Sequence, residues 1–232
     1  VVLATINAKY IHASFGLRCL AANLPDHSVE ILEFTLDRRP ADIAETILSA
    51  QPKIVGLGVY IWNATQTREL VSVLRRVAPK LTIVLGGPEV SHEHEAQPIV
   101  ADADYLVTGE GETAFAELCA RVLGGKRPLT KVIDGGLPDL ESLVLPYELY
   151  SDHDIEHRMV YVEASRGCPY KCEFCLSSLD KKVRAFPLEP FLAAMQSLVD
   201  RGARHFKFVD RTFNLDLKRS RAILEFFHER SE

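Results

Sequence analysis

Three of the five cysteines fall within eight residues, as Cys168, Cys172 and Cys175 in a C-x3-C-x2-C pattern. Thiolates are soft ligands, and three on one short loop suit three corners of a cubane [4Fe–4S] cluster with one iron left open. An open iron can take a substrate or cosubstrate directly. Structural zinc is the competing chemistry, but it asks for four ligands, usually as two pairs. His153, His157 or His205 could complete such a set, and His153 and His157 stand at an i, i+4 spacing. The triplet spacing favours the cluster. An odd cysteine count with this clustering also argues against a disulfide framework and for a reducing, cytoplasmic setting.

A second group of candidates lies in the N-terminal half. Four loops there are rich in glycine, aromatic or polar residues: 7–12, 60–63, 86–91 and 109–112. Gly86 and Gly87 let backbone approach a ligand closely or adopt a positive φ, although a plain strand-to-helix turn needs the same residues. Cys119 falls on an apolar helical stripe and reads as a buried thiol, whereas Cys19 is ambiguous. His92 and His94 have metal-like composition, yet after the Gly86–Gly87 turn they read as a solvated helix start.

The elements that must position these residues follow from hydrophobic periodicity. Short, nearly continuous apolar runs at 1–6, 29–34, 54–61, 81–85 and 105–107 suit strands buried on both faces of a parallel sheet. Between them, stripes such as Leu70, Leu74 and Val77, or Phe115, Leu118 and Val122, mark amphipathic helices. Five βα units over residues 1–123 predict an α/β, Rossmann-like doubly wound parallel sheet with right-handed crossovers. Ligands of such sheets bind at the carboxyl ends of the strands, where the four loops lie. Residues 124–158, punctuated by Gly124, Gly125, Pro128, Gly135, Gly136 and Pro146, read as a linker. From 159 to 232 a new strand feeds the cysteine segment. A helix closed by Gly202, a strand ending at Asp210 and a further helix follow, giving two βα units of a second parallel architecture.

Bulk composition narrows the function classes. With 47% hydrophobic and 25% charged residues, the chain can build two ordinary globular cores. No apolar run is long enough for a membrane span. A net charge of −5 supplies no global field for nucleic acid or anionic lipid, so neither is expected as a partner. The chain opens without methionine and ends within a helical pattern, so it reads as part of a longer protein.

The strand, the run Arg166-Gly167-Cys168-Pro169, the cysteine triplet with Phe174 before its last member, and the βα repeat together resemble the radical S-adenosylmethionine superfamily. The preceding Rossmann-like half resembles the cobalamin-binding domain that precedes the barrel in one large subgroup. That resemblance implies a partial (β/α)6 barrel beginning at 159, truncated here. It implies that the open iron chelates S-adenosylmethionine, which one electron cleaves to a 5′-deoxyadenosyl radical. Phe174 would pack near the adenine, and Asp210 would face the cosubstrate, its alternative being a strand-end turn. Cobalamin would lie against Tyr10, Tyr60, Trp62, Gly86, Gly87, Gly109, Glu110 and Gly111. The implied function is cobalamin-dependent methyl transfer to an unactivated carbon of a small-molecule or natural-product-like substrate. The implied electron source is an external donor of flavodoxin or ferredoxin type. Rearrangement or cyclisation is the alternative within the subgroup. A methylthiotransferase is disfavoured, because Cys19 and Cys119 cannot supply a second three-cysteine cluster. A non-catalytic zinc-stabilised module is the reading from another class. Cobalamin domains of the methionine synthase type carry D-x-H-x-x-G after the first strand. Here Tyr10 replaces the aspartate before His12, and Gly16 lies four residues on rather than three, so base-off cobalamin without a histidine ligand is expected.

Overall fold

The computed structural model describes residues 1–176 and 182–230. It divides into two compact units, Val1–Pro138 and Asp139–Glu232.

The first unit is a six-stranded parallel sheet in the order β2-β1-β3-β4-β5-β6. Its strands are β1 (Val2–Asn7), β2 (Glu30–Thr35), β3 (Ile54–Gly58), β4 (Thr82–Gly86), β5 (Tyr105–Thr108) and β6 (Val132–Asp134). Every residue of β1 is buried, as its unbroken apolar run predicts for a central strand, whereas β2 at the edge is buried only at Phe34. The helices are α1 (Phe15–Ala22), α2 (Pro40–Ser49), α3 (Ala64–Val77), α4 (Pro98–Asp102) and α5 (Glu112–Leu123). Pro40 opens α2 at a position where a missing N–H costs nothing, and Arg75 and Arg76 close α3 where cations meet the helix dipole. One face of the sheet packs Val2, Val55, Ile83 and Leu106 against α2, α3 and α4. The other packs Leu3, Ile54 and Val84 against α1 and α5.

One expectation is corrected here. The stretch 124–158 is no simple linker: its first part supplies β6 at the sheet edge, and its last part belongs to the second unit. The four crossovers that join β1 to β5 share one hand, as expected, but the added connection to β6 does not. From β5 the chain moves away from β1, as it does through α2, α3 and α4, yet α5 lies on the face of α1. The β5–α5–β6 connection therefore has the opposite hand to the other four. Burying Phe115 against Leu3 beneath Gly56, where a Cβ would stand 2.7 Å from the Leu3 side chain, holds α5 on that face.

The second unit pairs β7 (Val160–Val162) in parallel with β10 (Phe206–Phe208). Between them come β8 (Ser165–Arg166) and β9 (Arg184–Ala185), a short antiparallel ladder, and α7 (Leu188–Asp200). Helix α6 (Asp152–His157) precedes β7 and is closed by a Ser151–Asp154 capping box, and α8 (Leu217–His228) follows β10 with Asp216 as its N-cap. Helix α7 buries Phe191, Met195 and Leu198, and Gly202 follows it at a φ of +99°. Among the described residues, the outer side of β7 meets no strand. Instead the buried phenols of Tyr147 and Tyr150 take its hydrogen bonds. Tyr150 Oη donates to the Tyr161 carbonyl (2.9 Å) and accepts from its N–H (3.0 Å), and Tyr147 Oη does the same at Glu163 (3.2 and 3.1 Å). Among the described residues, no helix is long and apolar enough to cross a membrane.

Candidate functional site

In the first unit the strand order reverses between β1 and β3, which opens a crevice at their carboxyl ends. The loop after β3 is pinned onto the end of β1. Asn63, fully buried, donates from Nδ2 to the Ile6 carbonyl (2.9 Å) and the Gly58 carbonyl (3.1 Å), and its Oδ1 accepts the Tyr60 N–H (2.8 Å). Trp62 Nε1 donates to the same Ile6 carbonyl at 3.2 Å, and the Tyr60 and Trp62 rings stack at 4.6 Å and 6°. Burial, more than the nearby Cys19 and Glu33, pushes the Tyr60 phenol above its usual range. Tyr10, Ile11, Ile61 and Trp62 all stay exposed on these two neighbouring loops. Large apolar side chains left in water at a crevice rim are candidates for a binding surface.

A buried ion pair holds the floor of this edge. Arg18 of α1 meets Glu33 of β2 at 2.9 Å, with side chains 4% and 10% exposed. Glu33 also accepts from Asn7 Nδ2 (2.9 Å) and from the Ser14 N–H, and Asn7 Nδ2 reaches the His12 carbonyl at 2.7 Å. Sequence reasoning missed Asn7, Arg18, Glu33 and the pinning role of Asn63. The available signal was opposite charges inside two apolar patterns, Arg18 beside Leu17 and Glu33 between Leu32 and Phe34.

The glycine loops are held chiefly by the protein's own backbone. Gly87 has a φ of +111°, and a Cβ there would stand 2.4 Å from the Val59 carbonyl oxygen, so the close approach is to β3's exit loop. Gly86 ends β4. Gly109, Glu110 and Gly111 follow β5 at the same sheet edge, where the Gly135 N–H beyond β6 donates to the Thr108 carbonyl at 2.8 Å. His92 is exposed, and His94 opens a 3-10 turn rather than an α-helix. Cys19 and Cys119 are both buried, and burial pushes the Cys119 thiol up to about 12.

In the second unit, Cys168, Cys172 and Cys175 lie unburied on the loop that leaves β8. The Cys175 N–H donates to the Cys172 carbonyl at 3.1 Å, a turn that brings these two positions near each other. Gly167 starts the loop at a φ of +90°, and a Cβ there would lie 2.3 Å from the Lys182 carbonyl oxygen. Phe174 is 94% exposed, so it covers nothing within this unit. Among the described residues no three Cys, His, Asp or Glu side chains converge on one metal position. The donor set still fits a cubane, since metal binding and closure of a ligand loop are coupled. Asp210 is engaged with backbone: its Oδ2 accepts the Ala164 N–H (3.0 Å) and its Oδ1 the Ser165 hydroxyl (2.7 Å).

Residues 1–119 match the family described as B12 binding domain. The chain belongs to that family. The B12-binding chain is also 28% identical over 235 residues to an uncharacterised methyltransferase of Pyrococcus horikoshii, covering 88% of this chain and 50% of the relative. It is 29% identical over 153 residues to the cobalamin-dependent radical SAM methyltransferase TokK of Streptomyces tokunonensis, covering 54% of this chain and 22% of TokK. The fold matches that of the radical S-adenosylmethionine methyltransferase TsrM from Kitasatospora setae, solved with cobalamin and a [4Fe-4S] cluster. The TM-score is 0.70 at 20% identity, over 99% of this chain and 50% of that one. Beyond the B12-binding family itself, the chain is thus similar to cobalamin-dependent radical S-adenosylmethionine methyltransferases. It spans half or less of each of these proteins.

Proposed function

We propose that this chain is the cobalamin- and cluster-binding part of a radical S-adenosylmethionine methyltransferase acting on a small molecule. The observation that carries the reading is the loop of three unburied cysteines leaving β8, in a chain whose other unit has the B12-binding fold. The relatives named as methyltransferases support methyl transfer.

When bound, the cluster would supply the electron that cleaves S-adenosylmethionine, and cobalamin would supply the methyl group, with a small external electron donor of flavodoxin or ferredoxin type feeding the cluster. Cys168, Cys172 and Cys175 would hold the cluster by their thiolates, leaving room for the cosubstrate at the open iron. Phe174, exposed beside Cys175, covers the adenine once S-adenosylmethionine is in place. Tyr10, Tyr60 and Trp62 would lend the corrin an apolar face and keep water from it. Gly86, Gly87 and the 109–111 loop leave the sheet edge low enough for a macrocycle to lie across it.

Anaerobic reconstitution tests the reading. It should give about four iron and four sulfide per chain. Cys168→Ala, Cys172→Ala or Cys175→Ala should each abolish the cluster, while Cys19→Ala and Cys119→Ala should not. Adding S-adenosylmethionine should alter the paramagnetic resonance signal of the reduced cluster. Stoichiometric zinc without sulfide would overturn the assignment.

A further inference from the structure

The chain enters the cysteine loop through Ala164 and Ser165, and three separate segments grip that dipeptide. Asp210, just beyond β10, accepts the Ala164 N–H at 3.0 Å and the Ser165 hydroxyl at 2.7 Å. The Phe186 N–H, beyond β9, donates to the Ala164 carbonyl at 3.1 Å. Arg219 of α8 reaches the same carbonyl from Nη2 at 3.4 Å and also donates to the Phe186 carbonyl. Ala164 is 2% exposed, so neither its N–H nor its carbonyl has ready access to solvent water. Only Arg166 separates Ser165 from the second half of the loop's entrance, Gly167 and Cys168, and Gly167 is itself wedged against the Lys182 carbonyl.

We propose that Asp210 is a positioning residue for the cluster: through Ala164 and Ser165 it fixes where the cysteine loop begins, and so where Cys168 presents its thiolate. This rests on the cluster reading above. It assigns Asp210 a role that needs two hydrogen-bond acceptors or their equivalent, whereas a ligand to the cosubstrate's ammonium needs a negative charge. The two requirements separate in one substitution. In Asp210→Asn the amide oxygen can still accept the Ala164 N–H, and the amide nitrogen can donate to the Ser165 oxygen, because a hydroxyl both donates and accepts. Both contacts survive while the charge is lost. In Asp210→Ala both contacts go.

The experiment compares wild type, Asp210→Asn, Asp210→Ala and Ser165→Ala after anaerobic reconstitution. It follows iron loss to a chelator, the resonance spectrum of the reduced cluster without S-adenosylmethionine, and its change on adding S-adenosylmethionine. Loss of an outer-shell contact weakens metal retention about tenfold or more. Asp210→Ala should therefore release iron about tenfold faster and shift the spectrum before any cosubstrate is added, with Ser165→Ala between it and wild type. Asp210→Asn should match wild type in iron retention and in both spectra. If Asp210→Ala fails to fold, Ser165→Ala and Asp210→Asn carry the same comparison. The proposal is overturned if Asp210→Ala and Ser165→Ala retain iron like wild type. It is equally overturned if both Asp210 variants keep the cluster unchanged and lose only the response to S-adenosylmethionine. A wild-type chain that takes up no cluster sinks the parent reading instead.

Discussion

The carboxylate of Glu33 receives the Arg18 guanidinium, the Asn7 amide and the Ser14 N–H, tying β2, α1, the end of β1 and the turn before α1 to one point. Taking two charges out of water is costly, and the pair offsets this only while every partner remains. Glu33→Ala should destabilise the first unit by about 3–5 kcal/mol, because Arg18 stays buried and uncompensated. The double change Arg18→Leu with Glu33→Leu should recover most of that loss. Urea unfolding of both variants checks it, and a double variant as unstable as Glu33→Ala would show that packing rather than charge is at stake. Such residues are hard to see in one sequence. The cysteines were legible because their spacing is itself the chemistry. Arg18 and Glu33 look like ordinary surface charges until the sheet brings them together across fifteen residues of chain. Asp210 was legible as a strand-end carboxylate, but its engagement with Ala164 and Ser165, 45 residues earlier, was not.

At the level of elements, the apolar runs were read as strands, including those that became the short β7 and β10, whereas β6 was missed. The buried strands β1, β3, β4 and β5 of the first unit announce themselves by runs of Val, Ile and Leu. β6 has three residues after a proline- and glycine-marked stretch, too few for a pattern to stand out. The edge of β7 is subtler still, since two tyrosine hydroxyls do what a neighbouring strand would do. Each phenol replaces a donor and an acceptor, and it also buries a ring, with Tyr147 packed edge-on to Phe191 at 6.2 Å. Tyr150→Phe keeps the ring and strands the Tyr161 N–H and carbonyl at a partly covered edge. An unsatisfied buried group costs about 1–3 kcal/mol, so this variant should lose stability of that order in the second unit. Tryptic cleavage near 159–163 should rise with it. Wild-type stability in Tyr150→Phe would mean that water reaches the edge and makes the bonds instead.

For the whole molecule, the sequence pattern placed a B12-type sheet ahead of a cysteine loop, and the order of elements bears this out. What it placed less well is where one unit gives way to the next, at Pro138 and Asp139 rather than through a long linker. Glycine and proline mark turns at both places and cannot tell a tether from an edge strand. The same first unit decides how cobalamin would be held. In domains that ligate cobalt through histidine, an aspartate two residues earlier fixes the imidazole by accepting its other N–H. Here that position is Tyr10, which is exposed, and the His12 backbone is drawn into the local turn. Its N–H donates to the Lys9 carbonyl at 3.2 Å, and its carbonyl accepts from Asn7 at 2.7 Å. Asn7 is in turn bound to Glu33, so the His12 backbone is anchored to the buried ion pair at the floor of the sheet edge. The residues that rise from this floor as exposed apolar surface are Tyr10, Ile11, Ile61 and Trp62. Cobalamin bound to this chain should therefore be base-off with no histidine nitrogen on the cobalt. The Co(II) form prepared with nitrogen-labelled histidine should show no superhyperfine splitting from the label, and His12→Ala should retain cobalamin with an unchanged spectrum. Trp62→Ala, which removes apolar surface without touching any candidate ligand, should weaken retention by about tenfold, the effect of losing 1.4 kcal/mol of contact. A labelled-nitrogen splitting that disappears in His12→Ala would place the imidazole on cobalt and reverse the assignment.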